Sequence, residues 1–229
     1  MKGESCGIND KGSSCCSSTT QEDGKNLKDH WDNAYLNSPE EKLGWYESDL
    51  TPTLKLVTKT GLNKKARILN VGAGSTTLID ELLKIDHSNI IATDLSEVAL
   101  KKLEGRLGNE KVIYIVDDLT KPIEINKIDP VDLWIDRAVL HFFTEKNDQD
   151  TYFELLKNKV NYNGFVLLAE YNLSGATICS GLPVHRYSKE LLAEKLGNDF
   201  ELIQNFNYIY LMPSGAERPY VYTLFKKIK

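Results

Sequence analysis

Basic excess, long apolar runs and a cysteine framework are all missing from this chain. Its 229 residues carry 28 Lys and Arg against 33 Asp and Glu, a formal charge of −5. That leaves no basic footprint for a dedicated nucleic-acid binder. No apolar run approaches the ~20 residues that span a bilayer, and the first residues lack the apolar core of a signal peptide. A soluble, cytoplasmic protein without a membrane partner is expected. The four cysteines are unevenly placed: Cys6, Cys15 and Cys16 crowd the first sixteen residues, and only Cys179 lies further on. Adjacent cysteines and one internal thiol make no disulfide framework, and no spacing matches a zinc pattern. A reducing compartment and no metal site follow. No internal repeat is present either.

What the chain does have is enough apolar content, 41% of its residues, to build one good-sized core and hence one domain. Residues 1–26 are rich in Ser, Gly, Lys, Asp and Thr and read as a disordered tail. Its cysteine trio either holds a soft metal or metalloid or does nothing structural. The domain then covers 27–229. It opens with an amphipathic, aromatic helical cap over 27–60 that carries His30, Trp31, Tyr35, Trp45 and Tyr46. Asp49-Leu50-Thr51-Pro52 reads as a helix start inside this cap. Trp45 and Tyr46 sit in the loop just before it, as core or as the wall of a cofactor site.

The centre of the pattern is the stretch from Ala66 to Thr77. An apolar run, Ile68-Leu69-Asn70-Val71, meets Gly72-Ala73-Gly74 and then a helical pattern from Thr77 to Leu83. Strand, tight turn and helix are predicted in that order. The glycines let the backbone turn sharply and approach a ligand, and the new helix offers its free N–H groups to it. Further strands are predicted at Asn89 to Asp94, Lys111 to Asp118, Val131 to Asp136 and Phe165 to Glu170. Helices fall between them, at Glu97 to Leu107 and Asn147 to Val160, and Ser188 caps another that runs to Leu196. Phe200 to Leu211 and Pro219 to Ile228 read as two long strands pairing antiparallel. Alternating strands and helices imply an α/β fold with a doubly wound, mostly parallel sheet, closed here by a C-terminal antiparallel hairpin.

In such sheets the ligand lies beyond the carboxyl ends of the strands. Four ends carry distinctive residues: Gly72 with Gly74, Asp94, Asp118 and Asp136. A carboxylate after the second strand can accept both ribose hydroxyls. One after the third can accept an adenine amino group while Leu119 packs the ring. Asp94 lies about twenty residues past the glycines, which also suits a dinucleotide. Thr77, however, stands where the third glycine of that fingerprint belongs, and no second mononucleotide half follows. One nucleoside without a pyrophosphate fits better.

These residues resemble the class I S-adenosylmethionine-dependent methyltransferases. The resemblance runs from about His30 to Phe225, through Ile68 to Gly74, Ile91 to Ser96, Val116 to Thr120 and Asp132 to Phe142, to the final strand pair. It implies a Rossmann-like seven-stranded sheet, S-adenosyl-L-methionine as cofactor and transferase activity. It also implies that Gly72, Ala73 and Gly74 approach the methionine end, that Asp94 with Leu95 holds the ribose, and that Asp118 with Leu119 faces adenine. Trp45 and Asp136 join that set. The family's usual acid in the first strand is Asn70 here, which accepts a hydrogen bond but brings no charge.

Methyl transfer is an in-line displacement, so holding the nucleophile close and aligned supplies much of the rate. A thiol, with an ordinary pKa of about 8.5, is partly ionised at neutral pH, whereas a lysine amine at about 10.4 must first lose a proton. Groups expected near the acceptor follow the fourth and fifth strands. Asp136 begins the first of these segments. Arg137 pairs an anionic ligand or forms an ion pair with Asp136. His141 is a general base or a structural histidine at a helix start. In the second segment, Cys179 to Tyr187, Tyr187 lays its ring or hydroxyl against the acceptor. Trp31-Asp32, Trp45-Tyr46, Thr51-Pro52 and Gly181-Leu182-Pro183 look like the small-molecule branch: the thiopurine, thiol, halide, tellurite and selenium methyltransferases. The cap also looks like the protein lysine methyltransferases, whose fourth-strand segment reads Asp-Lys-Gly-Thr where this chain has Asp136-Arg137-Ala138-Val139. A small soft nucleophile, a thiol or a reduced metalloid species, is the preferred acceptor. Lysine methylation and a non-catalytic cofactor-binding scaffold remain as alternatives.

Overall fold

The computed structural model describes residues 26–229. The tail with Cys6, Cys15 and Cys16 lies outside the described residues, as does all but the last residue of the expected disordered segment. Helix α1 (Leu27–Asn37) starts at Asn26, whose side chain accepts the Lys28 N–H. Helix α2 (Thr51–Thr60) has Pro52 in its first turn and ends on Gly61 at φ 65, a left-handed stop. These two helices form the N-terminal cap.

The body alternates strands and helices: β1 (Ile68–Val71), α3 (Leu78–Lys84), β2 (Ile90–Asp94), α4 (Glu97–Leu107), β3 (Val112–Val116), β4 (Val131–Arg137), α5 (Lys146–Lys159) and β5 (Val160–Tyr171). A two-residue pair, β6 (Ile178–Cys179) and β7 (Leu182–Pro183), precedes α6 (Lys189–Leu196). Then come β8 (Phe200–Leu211) and β9 (Glu217–Lys227). The seven-stranded sheet runs β3-β2-β1-β4-β5-β9-β8, parallel from β3 to β5 and antiparallel for β9 and β8. It is the expected doubly wound sheet with its closing hairpin.

Alternation along the strands divides the apolar side chains between two faces. Ile68, Leu133, Ile135 and Leu167 pack with Leu56, Leu82 and Leu103 of α2, α3 and α4. Leu69, Trp134, Val166 and Leu168 pack with Tyr152, Leu156 and Leu192 of α5 and α6. β1 is buried at every position, as a central parallel strand covered on both faces requires. Ser96 and Ser188 cap α4 and α6, each accepting a backbone N–H three residues on.

One segment differs from the strand and helix expectations. The loop after β5 contains the β6–β7 hairpin, whose turn residues Ser180 (φ 51) and Gly181 (φ 75) are both left-handed. That is the backbone of a tight two-residue hairpin turn, and glycine suits its second position.

Candidate active site

A cavity of about 340 Å³ opens beyond the carboxyl ends of the strands. It draws on the cap, on the loops after β1 to β5, on the β6–β7 hairpin and on β9. Trp31, Tyr35, Trp45 and Glu47 come from the cap; Asn70 and Gly72 from β1 and its turn; Thr93, Asp94 and Leu95 from the end of β2. Asp118 and Leu119 follow β3, and Arg137 to Val139 with His141 to Phe143 follow β4. Tyr171, Cys179, Leu182 and Tyr220 close the far side.

The cofactor-type residues fall in one half. Asp94 is buried, and its two oxygens accept the Gly74 and Ser96 N–H groups at 2.8 Å each. Burial pushes its carboxyl up to about 6 against those hydrogen bonds. Each oxygen keeps a second lone pair for another donor. Asp118 uses Oδ1 to hold the Thr120 N–H and hydroxyl. Its neighbour Asp117 is occupied structurally, accepting the Asp118, Ile123 and Ile125 N–H groups.

The glycine loop also packs closely against protein side chains. A Cβ on Gly72 would stand 2.0 Å from Val139 Cγ2, and one on Gly74 would stand 2.4 Å from the Tyr35 hydroxyl. Both residues have positive φ, near 55°. The close approach admits two protein side chains, one from the β4 loop and one from the cap. Gly72 still lines the cavity, but Ala73 and Gly74 do not. Gly74 contributes instead through the N–H that holds Asp94.

Two acceptor-side expectations are corrected. Asp136 and Tyr187 do not line the cavity. Asp136 points to the α5 face of the sheet, where Oδ2 accepts the Tyr152 hydroxyl at 2.5 Å and Oδ1 the Val139 N–H at 3.0 Å. Tyr187 is fully buried, and its N–H is tied to the Tyr171 carbonyl. Arg137, one residue on, points to the opposite face. There its Nε forms a 2.8 Å ion pair with Glu47, not with Asp136, and its Nη1 donates to the Trp45 carbonyl. The guanidinium lies over the rings of Tyr210 and Tyr220, and its Nη2 has no partner. One buried arginine therefore joins cap, β4 and β9.

Ala138 at φ 70 turns the chain after β4, and the following short 3-10 turn (Leu140–Phe142) presents His141. The ring is fully buried and stacks on Tyr171 at 4.5 Å between centroids. Its Nδ1 lies 2.8 Å from Glu170 Oε2, which also accepts the His141 N–H. Glu170, next to last in β5, is buried, and burial pushes its carboxyl up to about 8. Burial and the neighbouring Glu170 likewise hold the Asp136 carboxyl well above the ordinary aspartate range. Glu170 was not singled out from the sequence, although it obeys the strand-end rule that marked Asp94 and Asp136.

On the other side of His141, the hairpin presents Cys179. The Tyr171 hydroxyl donates to its Sγ at 3.2 Å. The His185 N–H, just past the hairpin, donates to the His141 carbonyl at 2.7 Å and fastens the segment down.

No family model matches the chain, and none of the curated proteins does. Solved structures do. An S-adenosylmethionine-dependent methyltransferase from Anabaena variabilis aligns over 88% of this chain and 93% of its own, with TM-score 0.71 and 14% identity. A protein described under the conversion of a disulfide bond into a thioacetal group during echinomycin biosynthesis covers 88% and 92%, with TM-score 0.70 and 14% identity. The 1,6-didemethyltoxoflavin-N1-methyltransferase of Burkholderia thailandensis, with 1,6-didemethyltoxoflavin and S-adenosylhomocysteine bound, covers 78% and 77%, with TM-score 0.62 and 18% identity. The fold is that of the S-adenosylmethionine-dependent methyltransferases.

Proposed function

We propose that this protein is an S-adenosylmethionine-dependent methyltransferase acting on a small acceptor with a soft nucleophile, a thiol or a reduced metalloid species. The observation that carries this is the continuity of the cavity. It passes from the acids Asp94 and Asp118 to an aromatic end walled by Tyr171, Tyr220 and Phe142. The cap lies over it: Trp31 meets Trp45 and Phe142 edge-on, and Asp32 accepts the Ser96 hydroxyl at 2.6 Å. Such an enclosure suits a small molecule better than a polypeptide segment.

The cofactor fits the residues present. Asp94 has acceptor capacity for the ribose hydroxyls, and the buried Thr93 Oγ1 has no partner within the protein. Leu95 and Leu119 supply apolar walls, Asp118 stands at the adenine end, and Asn70 and Gly72 lie toward the methionine end. Bound there, S-adenosylmethionine supplies a methyl group activated on a sulfonium. The chain's own residues do the rest. The cap excludes water, Arg137 Nη2 is free to donate to an anionic group, and His141 Nε2 can take the acceptor's proton. Glu170 on Nδ1 orients the ring. Asp136 acts from behind the site, through Glu170.

The neighbouring structures support a small acceptor: one is named as an N1-methyltransferase of 1,6-didemethyltoxoflavin, another for conversion of a disulfide bond into a thioacetal group. Calorimetry with S-adenosylhomocysteine tests the cofactor, and absence of binding overturns the proposal in favour of a scaffold. A methyl-transfer screen over thiols, selenite, tellurite, arsenite and cell extract tests the acceptor. Label on a small molecule supports it; label confined to a protein band assigns the chain to protein methylation.

A further inference from the structure

Cys179 has more around it than a structural thiol requires. It is half-buried at the acceptor end of the cavity, held by a tight hairpin. Three elements face it: His141 from the turn after β4, Tyr171 with Glu170 behind it from β5, and Tyr220 with Arg218 nearby from β9. Burial raises the thiol, but the neighbouring His141 imidazole and the Tyr171 hydroxyl outweigh it, so the thiol lies below its ordinary value. Independently, the fully buried His141 Nε2 completes no hydrogen bond of ordinary geometry. Arg137 Nη2, also in the cavity lining, is unpartnered too. A thiol and a carboxylate-backed imidazole thus line the same cavity, the group types that activated cysteine nucleophiles use.

We propose that Cys179 is a modification site for low-molecular-weight disulfides, and that the adduct occupies the acceptor end of the cavity. The Cys179 thiolate attacks one sulfur of the disulfide. A new S–S bond forms, the old one breaks, and the proton held on His141 Nε2 passes to the departing thiolate. No oxidant is needed beyond the disulfide itself, and a free thiol reverses the step. Cys179 and an acceptor compete for the same imidazole nitrogen, so the adduct closes the site to methyl transfer. The consequence for methyl transfer rests on the proposed function; the reactivity of the thiol does not.

The test uses the full chain and cystamine, with the Cys179 peptide followed by mass spectrometry. In the folded protein Cys179 should react roughly tenfold or more faster than in the urea-unfolded chain, and His141→Gln should remove most of that gain. Equal or slower reaction in the folded wild type overturns the proposal. So does an unchanged rate in a His141→Gln protein shown to be folded by circular dichroism. Tyr171→Phe provides a milder second variant, expected to slow the reaction about threefold. A structure of the adduct should show the cysteamine group inside the cavity, and one directed to solvent overturns the occupancy. S-adenosylhomocysteine calorimetry on the reduced protein separates the two failures: no binding there sinks the methyltransferase reading and leaves the thiol result standing.

Discussion

The two halves of the cavity are built in opposite ways. Below β1, β2 and β3, polar side chains are held by backbone N–H groups: Gly74 and Ser96 on Asp94, and three amides on Asp117. Among the described lining residues there, Thr93 Oγ1 alone is buried without a partner. Around β4, β5 and β9, charged groups are buried together, and Arg137 and His141 of the lining leave Nη2 and Nε2 without partners. Backbone amides make a fixed cradle that costs little to maintain. Buried side-chain charges are costly, and the fold keeps them where a ligand's own groups can complete them.

The sharpest way to break that contrast is to remove a charge from the second half. Arg137→Ala strands Glu47, whose carboxyl burial already raises despite the arginine. Urea denaturation should show a loss of about 3–5 kcal/mol, partly recovered by adding Glu47→Gln. A loss below about 1 kcal/mol would mean that the pair is solvated and the contrast false.

In the first half the effect should appear in binding. Asp94→Ala should weaken S-adenosylhomocysteine by about 3 kcal/mol, roughly a hundredfold, by calorimetry. The same carboxyl, pushed up to about 6 by burial, gives a pH test. A ligand that donates hydrogen bonds to Asp94 favours its ionised form. Affinity should therefore approach its full value above about pH 7 and fall about tenfold between pH 7 and pH 5, and Asp94→Asn should remove the dependence. For the unliganded fold the sign is opposite. The raised carboxyl stabilises the protein below the ordinary aspartate range, and that contribution is lost as pH rises through about 6. The smallest effect belongs to Tyr187→Phe. Removing an unpartnered buried hydroxyl should leave binding unchanged and shift stability by less than about 1 kcal/mol, in either direction. A large loss of affinity would put Tyr187 back at the site.

These contrasts also mark what could be read from the chain. The order of strands and helices was legible because period-2 and period-3.6 patterns are local. The placement of Asp94, Asp118 and Leu119 beyond strand ends followed from the same patterns. Asp136 was misread by one residue of alternation: a strand-end position does not say which face the side chain takes. Backbone freedom at Gly72 and Gly74 is visible in sequence, but that Val139 and Tyr35 stand against them is not, because those side chains come from elsewhere in the chain.

The sequence by itself determined the doubly wound α/β architecture, the cradle of acids at consecutive strand ends and the aromatic cap. Each depends on neighbours within about twenty residues, whose spacing the chain states directly. Only the tertiary structure decided that Arg137 pairs with Glu47, ninety residues earlier, and that Glu170 backs His141 in the cavity that Cys179 also lines. Those choices depend on which faces of β4, β5 and β9 meet and on how the cap folds back across them. A charge takes the partner that packing brings within reach, and no local pattern records it.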